Sequence, residues 1–133
     1  MTIRIVCSGT FDVLHTGHVE YLKKAKALAR DSVLIVIVAR DDNSFEIKKK
    51  RPKNNENVRL ERIKALDFVD EAVLGFELDK IIDRVISLKP DIIALGYDQW
   101  AGEDWLREEL RKRGVEVRIV RMGEFERNLH ETI

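Results

Sequence analysis

The sequence predicts an α/β protein, and two observations support that prediction. Five short runs are rich in β-branched residues and almost continuously apolar, as strands covered on both faces are. They lie at residues 3–8, 32–39, 71–75, 91–96 and 115–120. Segments with helical periodicity separate them, and this alternation builds right-handed βαβ units. We therefore expect a Rossmann-like, three-layer α/β/α domain around a five-stranded parallel sheet.

The helices are predicted from apolar spacing and from signals at their ends. Between the third and fourth strands, apolar side chains recur with the helical period, at Leu78, Ile81, Ile82, Val85 and Leu88. Lys89 and Pro90 then end this helix before the next strand. Similar patterns predict the remaining helices, at 17–30, 56–66 and 103–113. Gly114 suits the C′ position after the last of them.

The composition limits the classes of function. The chain has 133 residues, which predicts one domain over residues 1–133. Lys plus Arg equals Asp plus Glu at 24 each, so no overall field attracts nucleic acid or an anionic membrane. The one cysteine, Cys7, allows no intrachain disulfide, and the longest apolar run, 33–39, is too short to span a bilayer. With no signal peptide visible, we expect a cytoplasmic protein that binds neither nucleic acid nor membrane.

The connection after the first strand, GTFDVLHTGH at 9–18, holds the residues that suggest chemistry. Its glycines, at 9 and 17, do not fit the G-x-G-x-x-G dinucleotide fingerprint, and no GK[ST] follows for a P-loop. Thr16 is placed to cap the first helix, with Gly17 and His18 in the first turn. The positive end of that helix would attract an anion, and His15 and His18 would point at the same place. A phosphate group is therefore the predicted ligand of this junction.

GTFD followed by H-x-G-H resembles the signature of the HxGH nucleotidyltransferase superfamily. Three further segments look like landmarks of that superfamily: VARDD at 38–42, Arg59 ten residues before VDE at 69–71, and PDIIALGYDQ at 90–99. The GYDQ sequence is most similar to archaeal-type FAD synthases. The resemblance implies that a phosphate oxygen of an acceptor attacks the α-phosphorus of a nucleoside triphosphate and that pyrophosphate leaves. Such an in-line displacement needs positioning and charge stabilisation but no covalent enzyme intermediate.

The resemblance also implies roles for individual residues. His15 and His18 would be catalytic and contact the triphosphate, with His18 stabilising the transition state. The nucleotide-binding residues would be Thr10, Phe11, His15, Thr16, Gly17, His18, Asp98 and Arg121. Weaker candidates for phosphate or acceptor contacts are Asp12, Lys24, Asp41, Lys48, Lys49, Arg59 and Tyr97. No metal ligand from the protein is expected, because a divalent ion such as Mg²⁺ would be bound mainly through the triphosphate.

Several of these residues have a structural alternative. Phe11 could belong to the core, and Asp12 could cap its own loop, as Asp98 could cap a turn. Arg59 and Arg121 could be members of surface ion pairs, and the lysines could be solvated. The cysteine in the first strand is expected to be a buried, inert thiol.

Three functions remain open from the sequence. The first is transfer of AMP from ATP to FMN, in which Tyr97, Trp100 and Trp105 could stack on the isoalloxazine ring or simply pack. The second is a cytidylyltransferase that uses CTP and glycerol 3-phosphate. The third is a nucleotide-binding protein without turnover, because residues 121–133 hold Thr132 but not the Ser/Thr-rich run of most relatives. Homodimers are common in the superfamily, so the resemblance is compatible with a homodimer, and the sequence leaves the oligomeric state open.

Overall fold

Strands and helices alternate along the chain, as the sequence predicts. A computed structural model describes residues 2–12, 14, 16–41, 53–75, 80–96 and 103–122. Within them lie five strands, β1 (Ile3–Gly9), β2 (Ser32–Val38), β3 (Glu71–Leu74), β4 (Ile92–Leu95) and β5 (Arg118–Arg121). Four helices lie in the same residues, α1 (Thr16–Lys26), α2 (Glu56–Lys64), α3 (Ile81–Ser87) and α4 (Glu103–Lys112). Neighbouring strands pair in parallel, so the predicted five-stranded parallel sheet is confirmed.

Helix α1 is shorter than predicted, because it ends at Lys26 and not near residue 30. Ser32 Oγ donates a hydrogen bond to the Lys26 carbonyl oxygen (2.8 Å), and Lys26 Nζ donates to the Ser32 carbonyl oxygen (2.7 Å). This exchange satisfies a carbonyl group at the helix end and leads the chain directly into β2. Among the described residues, no helix is both long and apolar enough to cross a lipid bilayer.

Strand β5 begins at Arg118, three residues later than predicted, because the turn after α4 is a Schellman motif. The Gly114 N–H donates to the Arg111 carbonyl oxygen and the Val115 N–H to the Leu110 carbonyl oxygen, both at 3.0 Å. Gly114 has a left-handed backbone with φ of 73°. The predicted C′ role of Gly114 is therefore confirmed, and Val115 still belongs to the turn.

Alternate residues of each strand face opposite sides of the sheet, and each side buries its own core. On one side Ile5 and Cys7 of β1 pack with Leu22 of α1 and Ile63 of α2. On the other side Val6 of β1 packs against α3 and α4. The residues that these two helices bury there are Ile82, Val85, Leu88, Leu106 and Leu110, Leu88 lying directly after α3. Helices thus cover both faces, which confirms the three-layer α/β/α arrangement.

The strand order β3-β2-β1-β4-β5 locates a candidate ligand site. The chain places β2 and β3 on one side of β1 and then returns to place β4 and β5 on the other. Cys7 of β1 is accordingly paired with Val36 of β2 and with Ala94 of β4. In an open α/β sheet, ligands bind at the carboxyl ends of the strands beside such a reversal. Thr10 and Gly96, which directly follow β1 and β4, therefore lie at one edge of the sheet, beside the crevice expected there.

Candidate active site

His18 lies in the first turn of α1, directly after the loop that follows β1. The backbone of Thr16 is already helical, so Thr16 is the first residue of α1 and not the cap that the sequence suggests. The His18 ring meets the Phe11 ring edge to face, with 5.4 Å between ring centroids and 76° between ring planes. Phe11 is itself buried in the core beneath α1. The imidazole is thus held at the positive end of the helix, where an anion is favoured.

Close approach of the Phe11 ring explains the glycine at position 9. A Cβ at Gly9 would lie 2.8 Å from Phe11 Cζ, closer than real Cβ atoms approach other heavy atoms. Phe11 has a left-handed backbone with φ of 53°. That conformation costs a non-glycine residue about 1–2 kcal/mol. Burial of the aromatic ring offsets this cost. Gly9 and Phe11 together fix the backbone that leads into α1.

The Asp12 side chain ties this loop to the residues that precede α2. Its carboxylate accepts hydrogen bonds from the backbone N–H groups of Lys53 (2.8 Å) and Asn54 (2.9 Å). The Asn54 side-chain amide donates in return to the Asp12 carbonyl oxygen at 2.7 Å. Partial burial alone would raise the pKa of Asp12, but these hydrogen bonds outweigh it, and the pKa lies below its ordinary value. Asp12 is therefore a charged anchor between two loops.

Arg59 is completely buried on α2. Its guanidinium donates to the carbonyl oxygens of Thr10 (2.8 Å), Ala39 (2.8 Å) and Asn54 (2.9 Å). It also donates to Asp41 Oδ1 at 2.6 Å. These four bonds join the loop after β1, the end of β2 and the approach to α2. The surface ion-pair alternative for Arg59 is wrong, because this side chain has no exposed area.

The same bonds bring together four polar residues that we call the polar hub: Asp12, Asp41, Asn54 and Arg59. The start of α2 is fixed beside it. The Asp41 N–H donates to Glu56 Oε1 at 3.0 Å, and the Asn55 side chain caps α2 by accepting from the Val58 N–H at 2.9 Å. The polar hub therefore holds the end of β2 and the start of α2 against the loop that precedes His18.

On the other side of the crevice, Arg121 supports the loop after β4. Its Nη1 donates to the Gly96 carbonyl oxygen at 2.6 Å. Gly96 directly follows β4, and the next residues are Tyr97 and Asp98, which lie outside the described residues. Arg121 thus contacts the backbone from which the predicted nucleoside-binding residues continue.

The chain as a whole is similar to known proteins. Residues 6–131 match the family model described as cytidylyltransferase-like. The chain belongs to the cytidylyltransferase-like family. The FAD synthase of Korarchaeum cryptofilum is 52% identical over 123 residues, which are 92% of this chain and 82% of the relative. The FAD synthase of Methanothrix thermoacetophila is 50% identical over the same shares of both chains.

A solved structure shares the fold of this cytidylyltransferase-like chain. It is described as the lipopolysaccharide core biosynthesis protein from Thermoplasma volcanium GSS1, and the two superpose with a TM-score of 0.83 at 46% sequence identity. The match covers 90% of this chain and 94% of that one. The Rossmann-like fold and the resemblance inferred from the GTFD and HTGH motifs are both confirmed.

Of the other predicted site residues, some lie within the residues that the structure describes and some lie outside them. Thr16 and Gly17 are exposed in the first turn of α1. Lys24 is in the last turn of α1, six residues from His18 and about 9 Å away along the helix axis. The predicted residues that lie outside the described ones are His15, Lys48, Lys49, Tyr97 and Asp98. Their roles stay predictions.

The described carboxylates near this site, Asp12 and Asp41, are engaged in hydrogen bonds within the protein. Within the described ranges, no three His, Cys, Asp or Glu side chains are grouped so that they could hold a metal ion. Asp12 is engaged by backbone N–H groups and Asp41 by the Arg59 guanidinium. Asp12 and Asp41 therefore serve to position loops. The divalent ion held mainly by the triphosphate stays a prediction.

Sequence reasoning missed two features of this site, the hydrogen bond of Tyr21 and the burial of Arg59. Each is indicated by the apolar spacing of its helix. Tyr21 lies three residues after His18 and packs against the core, and its hydroxyl donates to the Ala94 carbonyl oxygen at 2.5 Å. Its neighbour on the same helix face, four residues later, is the buried Ala25. The burial of Arg59 is indicated in the same way by the buried Ile63, four residues later.

The thiol of Cys7 lies in the core, as the sequence predicts. Cys7 is buried in β1, and burial raises the pKa of its thiol to about 12, although a hydrogen bond with Tyr21 acts in the opposite direction. A thiol that stays protonated and buried is neither nucleophile nor metal ligand. The prediction that Cys7 is buried is confirmed, and its inertness stays a prediction.

Proposed function

We propose that this chain is an FAD synthase, which transfers the AMP moiety of ATP to FMN and releases pyrophosphate. The observation that carries the proposal is the identity of 52% and 50% to archaeal FAD synthases over 92% of the chain. The GTFD motif begins at Gly9, the last residue of β1, and Gly96, the first residue of the GYDQ motif, directly follows β4; the strand order makes these two strands neighbours. The site and the whole sequence therefore support the same reaction.

The reaction needs an anion-binding crevice and a donor for the phosphoryl oxygens. A phosphate oxygen of FMN forms a bond to the α-phosphorus of ATP while the bond from that phosphorus to the bridging oxygen of pyrophosphate breaks. His18 is placed at the start of α1, so its imidazole can donate to a phosphoryl oxygen that gains charge in the transition state. The edge-to-face contact with Phe11 keeps the imidazole oriented before substrate arrives.

A divalent ion would neutralise charge on the triphosphate when it is bound. The resemblance implies that this ion is held mainly by the triphosphate of the bound nucleotide. The protein's own contribution is positive potential at the helix start and a hydrogen-bond donor at His18.

The flavin ring of FMN can be bound by stacking on aromatic side chains. Trp105 lies in the first turn of α4, and α4 follows β4, so this turn lies at the same edge of the sheet as the crevice. Its side chain is 42% exposed. We propose Trp105 as one stacking partner of the isoalloxazine, together with Tyr97 and Trp100 from the intervening loop.

The decisive assay mixes purified protein with ATP, FMN and Mg²⁺ and measures FAD by chromatography and pyrophosphate by a coupled enzyme. FAD and pyrophosphate are expected in equal amounts. CTP in place of ATP, and glycerol 3-phosphate in place of FMN, test the cytidylyltransferase alternative. Product from CTP and glycerol 3-phosphate with no FAD would overturn the proposal. Nucleotide binding without pyrophosphate from any pair would favour the binding protein.

Two further expectations from the sequence belong to this proposal. We propose that the protein acts in the cytoplasm, and that it can form a homodimer, since homodimers are common in the superfamily that its motifs resemble. Sedimentation velocity of the purified protein checks the second, since a dimer has twice the mass of one chain.

A further inference from the structure

Tyr21 makes a hydrogen bond from α1 to the strand on the far side of the crevice. Its hydroxyl donates to the carbonyl oxygen of Ala94 in β4. Ala94 is paired with Cys7 of β1, so the bond reaches the two strands between which the order of the sheet reverses. Burial raises the pKa of Tyr21 well above its ordinary value, so the hydroxyl keeps its proton and remains a donor.

The bond connects the two parts of the site that must keep a fixed separation. His18 lies on α1, three residues before Tyr21. Ala94 lies two residues before Gly96, whose carbonyl oxygen accepts from Arg121 and from which the predicted nucleoside-binding segment continues. A helix is rigid over one turn, so the point on β4 to which the Tyr21 hydroxyl is bonded sets the position of the His18 imidazole.

We propose that Tyr21 is a positioning residue for nucleotidyl transfer: its hydroxyl fixes α1 on β4 and thereby places His18 against the reacting phosphate. This proposal rests on the proposed function and names a residue outside the HxGH motif. The hydroxyl touches neither nucleotide nor acceptor in this role. Its effect is exerted through the helix that carries His18.

The test compares two variants that each remove one hydroxyl between α1 and the sheet. Tyr21→Phe removes the bond to Ala94, together with the hydrogen bond between Tyr21 and Cys7, and keeps the ring. Ser32→Ala removes the Ser32 bond to the Lys26 carbonyl oxygen, at the opposite end of α1. Both variants are expected to lower Tm by similar small amounts, about 3–5 °C. A purely structural role for Tyr21 predicts the same behaviour for both in every other measurement.

Two readouts separate positioning from stability. In Tyr21→Phe, kcat is expected to fall about tenfold while KM for ATP changes less than about twofold, because a displacement below 1 Å already weakens a transition-state contact. In Ser32→Ala both constants stay at the wild-type values. The chain has three histidines, so the imidazole Hε1–Cε1 resonance of His18 can be assigned and followed by NMR. That resonance is expected to shift in Tyr21→Phe and to stay in place in Ser32→Ala.

A double variant tests whether the effect passes through His18. If it does, Tyr21→Phe adds no further loss of kcat in a His18→Ala background. Independent, multiplying losses would overturn the proposal, as would a His18 resonance that moves no more in Tyr21→Phe than in Ser32→Ala. The NMR comparison needs no substrate. A wild-type protein that forms no FAD therefore contradicts the proposed function alone, and the NMR comparison still decides whether Tyr21 positions His18.

Discussion

Replacing Arg59 by lysine is expected to lower the free energy of unfolding by about 1.5–3 kcal/mol, although the charge is kept. The guanidinium makes four hydrogen bonds from a side chain with no exposed area. An ammonium group has three donors and no planar fork, so it cannot reach Thr10, Ala39, Asn54 and Asp41 together. One or two acceptors in this buried region would lose their partner, and each charge-assisted bond is worth about 1.5 kcal/mol. The estimate is the sum of those losses.

Urea unfolding measures this difference, with Arg62→Lys as the matched control. Arg62 is on the same helix and exposed, so its replacement should change the free energy of unfolding by less than about 0.5 kcal/mol. Arg59→Lys should also lower kcat/KM, because the Thr10 carbonyl loses its donor in the loop that leads to His18. Equal midpoints and equal slopes for the two variants would refute the view that the polar hub depends on a guanidinium.

Three further predictions concern the loop around His18. Gly9→Ala should reduce activity and should lower the free energy of unfolding by about 1–3 kcal/mol, because the new methyl group displaces the Phe11 ring. Differential scanning calorimetry and the FAD assay check this. A variant with unchanged activity and stability would mean that the ring moves freely. Asp12 has a lowered pKa in the folded state, so its stabilising contribution is complete above its unfolded pKa of about 3.9 and disappears as the pH falls through the lower folded value. Urea midpoints measured from neutral pH down to acid should therefore fall less steeply in Asp12→Asn than in wild type, and parallel curves would contradict the anchor to Asn54. His18→Ala should lower kcat by about 100-fold or more with little change in Tm, whereas an equal loss of stability would make His18 a structural residue.

The fold could be predicted because the apolar patterns of strands and helices are local. β2 is apolar at every position between Val33 and Val38, and its short length and β-branched residues are typical of a strand covered on both faces. The ends of elements were harder, since they depend on pairs that are distant along the chain or on one backbone angle. The two hydrogen bonds between Lys26 and Ser32 shorten α1, and the spacing of the apolar residues does not predict them.

The site could be predicted in part. The GTFD and HTGH motifs indicate the reaction, and Gly9 and His18 lie where those motifs suggest. The roles of Arg59 and Tyr21 depend on where separate loops and strands meet in space, which a single sequence does not state. A charged or hydroxyl-bearing residue on the buried face of a helix is the one local signal of such a role, because a buried polar group requires a partner.

The bonds of Arg59 have a consequence for how this chain could change over time. Three of its four acceptors are backbone carbonyl oxygens, which every amino acid possesses. Positions 10, 39 and 54 can therefore exchange side chains without losing this arginine's recognition of them. Position 59 has no such freedom, and among the described residues Asp41 is the one acceptor of Arg59 that is supplied by a side chain. In a randomised gene library selected for folding, codons at 59 should converge on arginine while those at 39 drift.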